Sequence, residues 1–125
     1  MEKPQTTIAE RLREALTNAG MKQVDLVRKT GLDRGSVSSY LSGRYEPKQK
    51  AIYKMAQVLN VSESWLMGYD VPSYRTDEQK KNDQLAKLIV RMRTDKDFYE
   101  TVAALDGLTP NQYRGIQQLI SAFDE

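Results

Sequence analysis

Glycine divides the first half of this sequence into short segments that have the hydrophobic spacing of helices. Four glycines end these segments: Gly20, Gly31, Gly43 and Gly68. Glycine suits a helix end because it adopts the left-handed conformation there without a steric penalty. Between the glycines, apolar residues recur every three or four positions, and no run alternates with the period of two that a half-buried strand requires. The sequence therefore predicts an all-α fold of short helices.

Five helices are predicted before residue 69. The first begins after Thr7, which stands three residues before Glu10 with the spacing of a capping box. Its apolar face is predicted to hold Ile8, Leu12, Leu16 and Ala19. The other four helices are predicted at residues 23–30, from Asp33 to Gly43, at residues 49–59, and from Ser62 to Gly68. Trp65, in the fifth helix, is predicted to lie in the core.

In the second half of the chain, the sequence predicts a linker followed by a smaller helical unit. Pro72 lies in an aperiodic stretch, so the boundaries expected are a domain at 1–69, a linker at 70–76 and a helical region at 77–125. Three helix starts are predicted after the linker, at Thr76 with Gln79, at Thr94, and at Thr109 followed by Pro110 and Gln112.

The amino-acid composition argues against several classes of protein, including enzymes and metal-binding proteins. The chain has no histidine and no cysteine, which removes the commonest general base, the commonest metal ligand and all thiolate sites. We therefore expect no enzymatic activity, no metal and no cofactor. No apolar run approaches the roughly 18 residues of a membrane span, and no signal peptide is evident, so a cytoplasmic protein without a membrane partner is expected.

Positive charge is concentrated in one segment. Residues 21–54 carry eight basic and three acidic side chains, a net charge of +5, whereas residues 73–125 carry eight basic and nine acidic ones, a net charge of −1. A basic segment in a chain of net charge +2 is typical of a protein that binds a polyanion. On charge alone, a solvated basic surface remains an equal alternative.

Residues 23–42, with the sequence QVDLVRKTGLDRGSVSSYLS, decide between these alternatives. Two short helices joined by a glycine turn form a helix-turn-helix, in which the second helix lies in the major groove of DNA. The exposed face of the second of these helices is predicted to hold Arg34, Gly35, Ser36, Ser38 and Ser39. Glycine and serine are poor helix formers, but their small size allows close approach to base edges and phosphates.

These residues resemble the Cro/CI-type, or XRE-like, family of phage-repressor domains over about residues 7–72. The matching positions are Gln23, Leu26, Gly31, Val37-Ser38-x-Tyr40, Gly43-x-x-x-Pro47 and the stretch from Leu59 to Gly68. The resemblance implies a five-helix, lambda-repressor-like domain that binds a double-stranded DNA operator. Three residues depart from the family pattern: Lys22 stands where a capping Thr or Asn is common, Val27 where a small Ala lets the two helices approach, and Leu41 where Glu is frequent.

The resemblance also implies roles for individual residues. Arg34, Gly35, Ser36 and Ser39 occupy the positions that face the bases, and Gln23, Ser42, Arg44 and Lys48 occupy those that contact the DNA backbone. Arg34 is the strongest candidate reader because a guanidinium pairs with two acceptors of guanine. A phosphate contact by Arg34 is the alternative. Lys50, Lys54 and Tyr45 are weaker candidates for DNA contact.

The C-terminal helices are predicted to join two copies of the chain. Their apolar stripes are too short to stabilise a separate domain. The residues predicted to dimerise are Leu85, Leu88, Ile89, Met92, Ile116, Leu119, Ile120 and Phe123. Folding of these helices back onto the DNA-binding domain is the alternative.

The function expected is a dimeric repressor of a phage or integrative mobile element, acting at palindromic operators. The resemblance also allows a protein partner, either an antirepressor or a protease. A second hypothesis is an antitoxin-type autoregulator whose C-terminal helices bind a protein partner.

Overall fold

The structure is a computed structural model that describes residues 4–124. In this range the chain is all-helical apart from one isolated antiparallel bridge, which confirms the predicted fold class. The helices are α1 (Ile8–Ala19), α2 (Gln23–Thr30), α3 (Arg34–Ser42), α4 (Gln49–Leu59), α5 (Glu63–Leu66), α6 (Asp77–Thr94), α7 (Lys96–Asp106) and α8 (Pro110–Ala122). None of the helices in this range combines the length and apolar character that crossing a membrane requires. The chain divides into two compact units, the first ending at Lys80 and the second beginning at Lys81.

Side-chain caps begin three helices of the first unit. The side chains of Thr7, Asp33 and Ser62 each accept a hydrogen bond from the backbone nitrogen three residues later, at 3.2, 3.0 and 3.4 Å. Each cap satisfies a helix N–H that has no partner inside the helix. Left-handed glycines follow α1, α2 and α3 at Gly20, Gly31 and Gly43. The predicted boundaries of these helices are confirmed.

The start of α1 departs from the predicted capping box. The carboxylate of Glu10 accepts a hydrogen bond from the hydroxyl of Thr6, the residue before the N-cap Thr7. That hydrogen bond lowers the pKa of Glu10 below its usual value. The predicted apolar face of α1 was also wrong at one position, because Ala19 is exposed and Ala15 is buried.

The core of the first unit takes one fully buried side chain from each of the helices α1 to α5. These residues are Leu12, Leu26, Val37, Met55 and Leu66. Full burial of such a side chain contributes on the order of 2 kcal/mol. Trp65 is 7% exposed and belongs to the same cluster, as predicted. Since every helix contributes to this core, α2 and α3 are held in a fixed relation to the other three helices.

The segment predicted as a linker is attached to the first unit at its C-terminal end. Val61 forms the isolated bridge with Tyr74, and the nitrogen of Ser62 donates to the carbonyl of Ser73 at 2.9 Å. Arg75 is buried, with 5% of its surface exposed. A reciprocal capping box between Thr76 and Gln79 then begins α6, as predicted. Residues 73–76 are therefore fixed by hydrogen bonds on the start of α5.

The second unit contains most of α6, together with α7 and α8. The predicted start at Thr109 is confirmed by a reciprocal capping box with Gln112, at 3.0 and 3.3 Å. The predicted cap at Thr94 was wrong. Thr94 is the last residue of α6, and the hydroxyl donates to the carbonyl of Val90 at 3.0 Å. Asp95 caps α7 instead, accepting from the nitrogen of Phe98 at 3.0 Å.

Candidate nucleic-acid interface

Helices α2 and α3 pack against each other across a tight turn. Leu26 of α2 and Val37 of α3 are both fully buried. Gly31 ends α2 with a φ of 71°, and Asp33 begins α3 two residues later. Val27 is partly buried against the same core. The helix crossing therefore accommodates a side chain larger than the alanine of the family pattern. The pair has the connection and packing of a helix-turn-helix.

The outer face of α3 exposes the candidate base-contacting residues. Arg34 and Gly35 are exposed, and Ser36 and Ser39 are partly exposed. The guanidinium of Arg34 has no hydrogen bond or ion pair within residues 4–124. It is therefore not committed to a structural contact in this range and is available to bind a ligand.

An open groove of about 800 Å³ brings three of these residues together with the candidate backbone contact Lys48. Gly35, Ser36 and Ser39 line one wall of the groove from α3. Lys48, at the N-terminal end of α4, lines the other. Arg34 does not line this groove, nor do the other predicted backbone contacts. The groove also contains Lys50, Lys54 and Tyr45, which the sequence suggested only weakly.

The charge in this groove is mixed. Its three lysines have no ion pair in the described part of the chain, while Asp33 and Glu46 add two carboxylates to the lining. Neither carboxylate was predicted to lie at the interface. The position of Asp33 follows from its role as the cap of α3. No pattern in the sequence indicated that Glu46 lies in the groove.

Of the predicted backbone contacts, Ser42 is the last residue of α3 and Arg44 follows the C-cap Gly43. The hydroxyl of Ser42 donates to the carbonyl of Ser39 at 3.1 Å, and the guanidinium carbon of Arg44 lies 5.6 Å from the centroid of the Tyr45 ring. Arg13 of α1 donates to the carbonyl of Leu41 at 2.6 Å. This contact was not predicted, because a separation of 28 residues leaves no local signal in the sequence.

Gln23 does not line this groove. It is the first residue of α2 and is partly buried. Lys22, before it, has no side-chain acceptor and cannot cap the helix as a serine would. The carboxylate of Asp25 instead accepts from the nitrogen of Lys22 at 2.9 Å. This contact begins α2 without the cap that the family pattern would supply.

A second candidate surface lies on the C-terminal helices. Seven of the eight residues predicted to dimerise lie on α6 and α8, and Phe123 follows α8 directly. Six of the eight are exposed: Leu85, Leu88, Ile89, Leu119, Ile120 and Phe123, with exposed fractions from 40% to 86%. Met92 and Ile116 are partly buried. In the described chain no group of three or more His, Cys, Asp or Glu side chains is arranged as a metal site.

Residues 12–66 match the family model described as helix-turn-helix. The chain carries a helix-turn-helix domain. The predicted family resemblance is confirmed over these residues, which contain both α2 and α3. In domains of this kind the second helix lies in the major groove of DNA, so α3 is the candidate recognition helix of this chain.

The helix-turn-helix domain accounts for part of the similarity to a curated relative. The HTH-type transcriptional regulator ImmR of Bacillus subtilis (strain 168) is 24% identical over 107 residues, which are 79% of this chain and 84% of ImmR. The match therefore extends past the domain into the C-terminal helices.

Two solved structures are also similar. A transcriptional regulator from Listeria innocua is 21% identical, with a TM-score of 0.46 over 80% of this chain and 90% of the other. The SinR protein/SinI protein complex contributes a chain that is 18% identical, with a TM-score of 0.47 over 94% of this chain and 98% of the other.

Proposed function

We propose that this chain is a dimeric repressor that binds a palindromic operator of a phage or integrative mobile element. The observation that carries the proposal is the groove beside α3, where small polar side chains face three lysines. Small residues on α3 allow the helix to approach base edges, and lysines beside it neutralise phosphates. The similarity to ImmR, a transcriptional regulator by name, supports the same function. A regulator of this kind acts in the cytoplasm, where it can reach the operator.

Arg34, Gly35, Ser36 and Ser39 face the bases in this proposal, and Gln23, Ser42, Arg44 and Lys48 contact the phosphates. Lys50 and Lys54 join the phosphate contacts, because they line the same groove as Lys48. Arg34 is at the first position of α3, and its exposed side chain lies outside the groove. In this proposal it therefore reads a guanine at the edge of the helix.

Dimerisation through the C-terminal helices brings a second copy of α3 to the other half-site of the operator. Leu119 and Phe123 are 61% and 86% exposed, and apolar side chains at such exposure are stabilised when a partner covers them. A second copy of the chain is the partner we propose, because a palindromic operator requires two recognition helices. An antirepressor or a protease would act on this dimer as a further protein partner.

A specific observation favours the antitoxin-type alternative as a second candidate. Between α7 and α8 lies an open groove whose apolar lining includes Val102, Leu105, Leu108 and Tyr113. Such a groove suits an amphipathic helix from another protein. In this alternative the chain still binds DNA, but its C-terminal helices neutralise a toxin.

Selection of bound duplexes from a random DNA pool tests the proposed function. The full chain is expected to enrich one inverted repeat, and light scattering is expected to show two chains per duplex. The variant Arg34→Ala is selected in parallel. It should enrich the same inverted repeat, but with relaxed preference at one base pair in each half. Enrichment of no sequence would contradict the operator, and enrichment of a single half-site by a monomer would contradict the dimer.

A further inference from the structure

An exposed arginine of α1 is held at the C-terminal end of α3. Nη1 of Arg13 donates to the carbonyl of Leu41 at 2.6 Å. Leu41 lies in the last turn of α3, where backbone carbonyls have no partner inside the helix. The hydrogen bond therefore satisfies one of these carbonyls, and it also fixes the position of an exposed guanidinium beside the recognition helix.

Most of this guanidinium is free to bind a ligand. Arginine has five N–H donors, and the bond to Leu41 is the only hydrogen bond of the Arg13 side chain within residues 4–124. Glu10, one turn earlier on α1, forms no ion pair with Arg13 in this range. Its carboxylate accepts a hydrogen bond from the hydroxyl of Thr6. The positive charge of Arg13 is therefore not neutralised by an ion pair within the described residues.

Arg13 lines a second groove, next to the larger groove that contains Lys48. The second groove has a volume of about 280 Å³ and lies between the start of α1 and the end of α3. The two grooves are neighbours, because Tyr40, Tyr45 and Glu46 line both of them. Glu46 is the one carboxylate in the lining of the second groove, and it forms no ion pair in the described part of the chain.

A second arginine lies beside the same groove. The guanidinium carbon of Arg44 is 5.6 Å from the centroid of the Tyr45 ring, and Arg44 likewise has no ion pair within residues 4–124. One guanidinium at the end of α3 is thus held by a carbonyl and the other by an aromatic ring. Two positioned guanidinium groups without anionic partners suit a phosphate, which accepts charge-assisted hydrogen bonds from such groups.

We infer that Arg13 is a further contact to the DNA backbone and binds one phosphodiester group beside the end of α3. The inference deepens the proposed function and rests on it, because a phosphate lies there only when α3 occupies the major groove. Ser42 and Arg44 are already proposed to contact phosphates, and Ser42 lines the second groove together with Arg13. A DNA strand that passes these two residues therefore also passes Arg13.

The geometry of the guanidinium allows both contacts at once. Nη1 of Arg13 is used by the carbonyl of Leu41, which leaves Nε and Nη2 as a pair of parallel donors for two phosphate oxygens. The bond to Leu41 also holds the side chain before DNA arrives. A side chain that is already ordered loses less conformational entropy on binding.

The alternative role of Arg13 is to cap α3 and nothing more. A cation at the C-terminal end of a helix stabilises that helix whether or not DNA is bound. Either role would weaken DNA binding when Arg13 is replaced, so affinity at one salt concentration does not separate them. The salt dependence does separate them, because only a phosphate contact releases a counterion.

The experiment measures the affinity of the full chain for a duplex with one selected half-site, at salt concentrations from about 0.05 to 0.3 M. One half-site is used so that the result does not depend on dimerisation. For Arg13→Gln, affinity at about 0.15 M salt is expected to fall about three- to tenfold, and the slope of log affinity against log salt should fall in magnitude by about one. Arg13→Met, a second neutral variant of similar length, should give the same reduced slope.

Two further variants serve as controls. Arg13→Lys keeps the positive charge without the planar pair of donors, so it should lose some affinity but keep the slope of the unmodified chain. Arg28→Gln removes an exposed arginine of the same unit that lines neither groove, and it should also keep that slope. Denaturant titration of each variant measures the contribution of the cap to stability separately.

The outcomes distinguish this inference from the proposed function. If both neutral variants lose stability but keep the slope of the unmodified chain, Arg13 only caps α3, so the inference is wrong and the proposed function stands. The inference is also wrong if Arg13→Lys or Arg28→Gln reduces the slope as much as Arg13→Gln does, because the effect is then not a charge contact at Arg13. If the unmodified chain shows no salt-dependent binding to duplex DNA, the proposed function itself fails, and the inference fails with it.

Discussion

The carboxylate of Asp33 accepts a hydrogen bond from the backbone nitrogen of Ser36 at 3.0 Å, and this contact begins the helix that carries the candidate base contacts. The same carboxylate lines the proposed DNA-binding groove. A Cβ atom added at Gly35 would lie 3.1 Å from Oδ2 of Asp33, so the small residue at 35 leaves room for the cap. The cap stabilises α3 but also places negative charge where DNA phosphates are proposed to lie.

Asp33→Ala is therefore expected to change stability and DNA binding in opposite directions. Loss of the cap should lower the free energy of unfolding by about 1 kcal/mol, and loss of the negative charge should raise affinity for non-specific DNA. Asp33→Asn is the control, because asparagine caps helices about as well as aspartate. It should raise non-specific affinity with little change in stability, as measured by denaturant titration and binding at fixed salt. Weaker non-specific binding by both variants would contradict this account.

Arg34→Ala is expected to weaken operator binding by roughly 1–3 kcal/mol and to relax preference at one base pair in each half-site. The reason is the loss of a bidentate contact to guanine. Arg34→Lys keeps the charge without the planar pair of donors, so it should also lose the base preference. Titration against every single-base operator variant measures the effect. An equal loss for all sequences would show instead that Arg34 contacts a phosphate.

Lys48→Ala is expected to reduce affinity for all DNA sequences by a similar factor. A phosphate contact releases about one counterion, so the slope of log affinity against log salt should fall in magnitude by about one. Lys87→Ala, on the exposed surface of α6, removes the same charge away from the groove and should keep the original slope. An unchanged slope for Lys48→Ala would exclude the backbone contact.

The sequence predicted the parts of the fold that local chemistry determines. Glycines at helix ends and the caps Asp33, Ser62 and Thr109 have short-range signals, and the helices they bound were predicted closely. Thr94 was misassigned because Asp95, one residue later, is an equally good cap. The choice between them depends on where α6 ends.

Long-range contacts had no such signal. Arg75 follows an aperiodic stretch containing Pro72, and only the folded chain brings it to Val61 and Glu63. Gly35, Ser36, Ser39 and Lys48 were named from the sequence as DNA contacts, but the groove that they line was not predicted. The carboxylate of Glu46 was not predicted there either, because a loop residue has no periodicity to interpret. A sequence pattern thus predicts which face of a helix is exposed, but not which loop lies beside it.

Arg75 donates hydrogen bonds to the carbonyl of Val61 and the carboxylate of Glu63. These contacts predict how long a fragment must be to contain the whole stable helix-turn-helix domain. A fragment of residues 1–80 should fold and remain monomeric. A fragment of residues 1–69 lacks the carbonyl of Ser73 and the guanidinium of Arg75, so its free energy of unfolding should be lower by about 2 kcal/mol. Denaturant titration of the two fragments measures the difference. Equal stability would mean that residues 70–80 do not contribute to the fold of the domain.

Replacement of Leu119 and Phe123 by glutamine is expected to separate the dimer. Burial of each side chain contributes about 2 kcal/mol, and a symmetric interface contains both residues twice. Because about 1.4 kcal/mol changes a dissociation constant tenfold, the dimer should dissociate more than about a hundredfold more readily. Sedimentation or light scattering at several concentrations measures this change. Operator affinity should fall with it, by roughly 10²–10⁴, because the second half-site contact is no longer intramolecular.

The matched control changes polar residues on the other side of α8, with Arg114→Gln and Gln118→Ser. Both residues are exposed and lie on the opposite face from Leu119 and Phe123, so dimerisation and operator affinity should stay as in the unmodified chain. Neither double variant should alter single half-site binding, because the buried core of the first unit contains none of these residues. If the glutamine variant still dimerises with the original affinity, the exposed residues of α8 do not join two copies. Their exposure would then favour a different protein as the partner, as the antitoxin-type alternative requires.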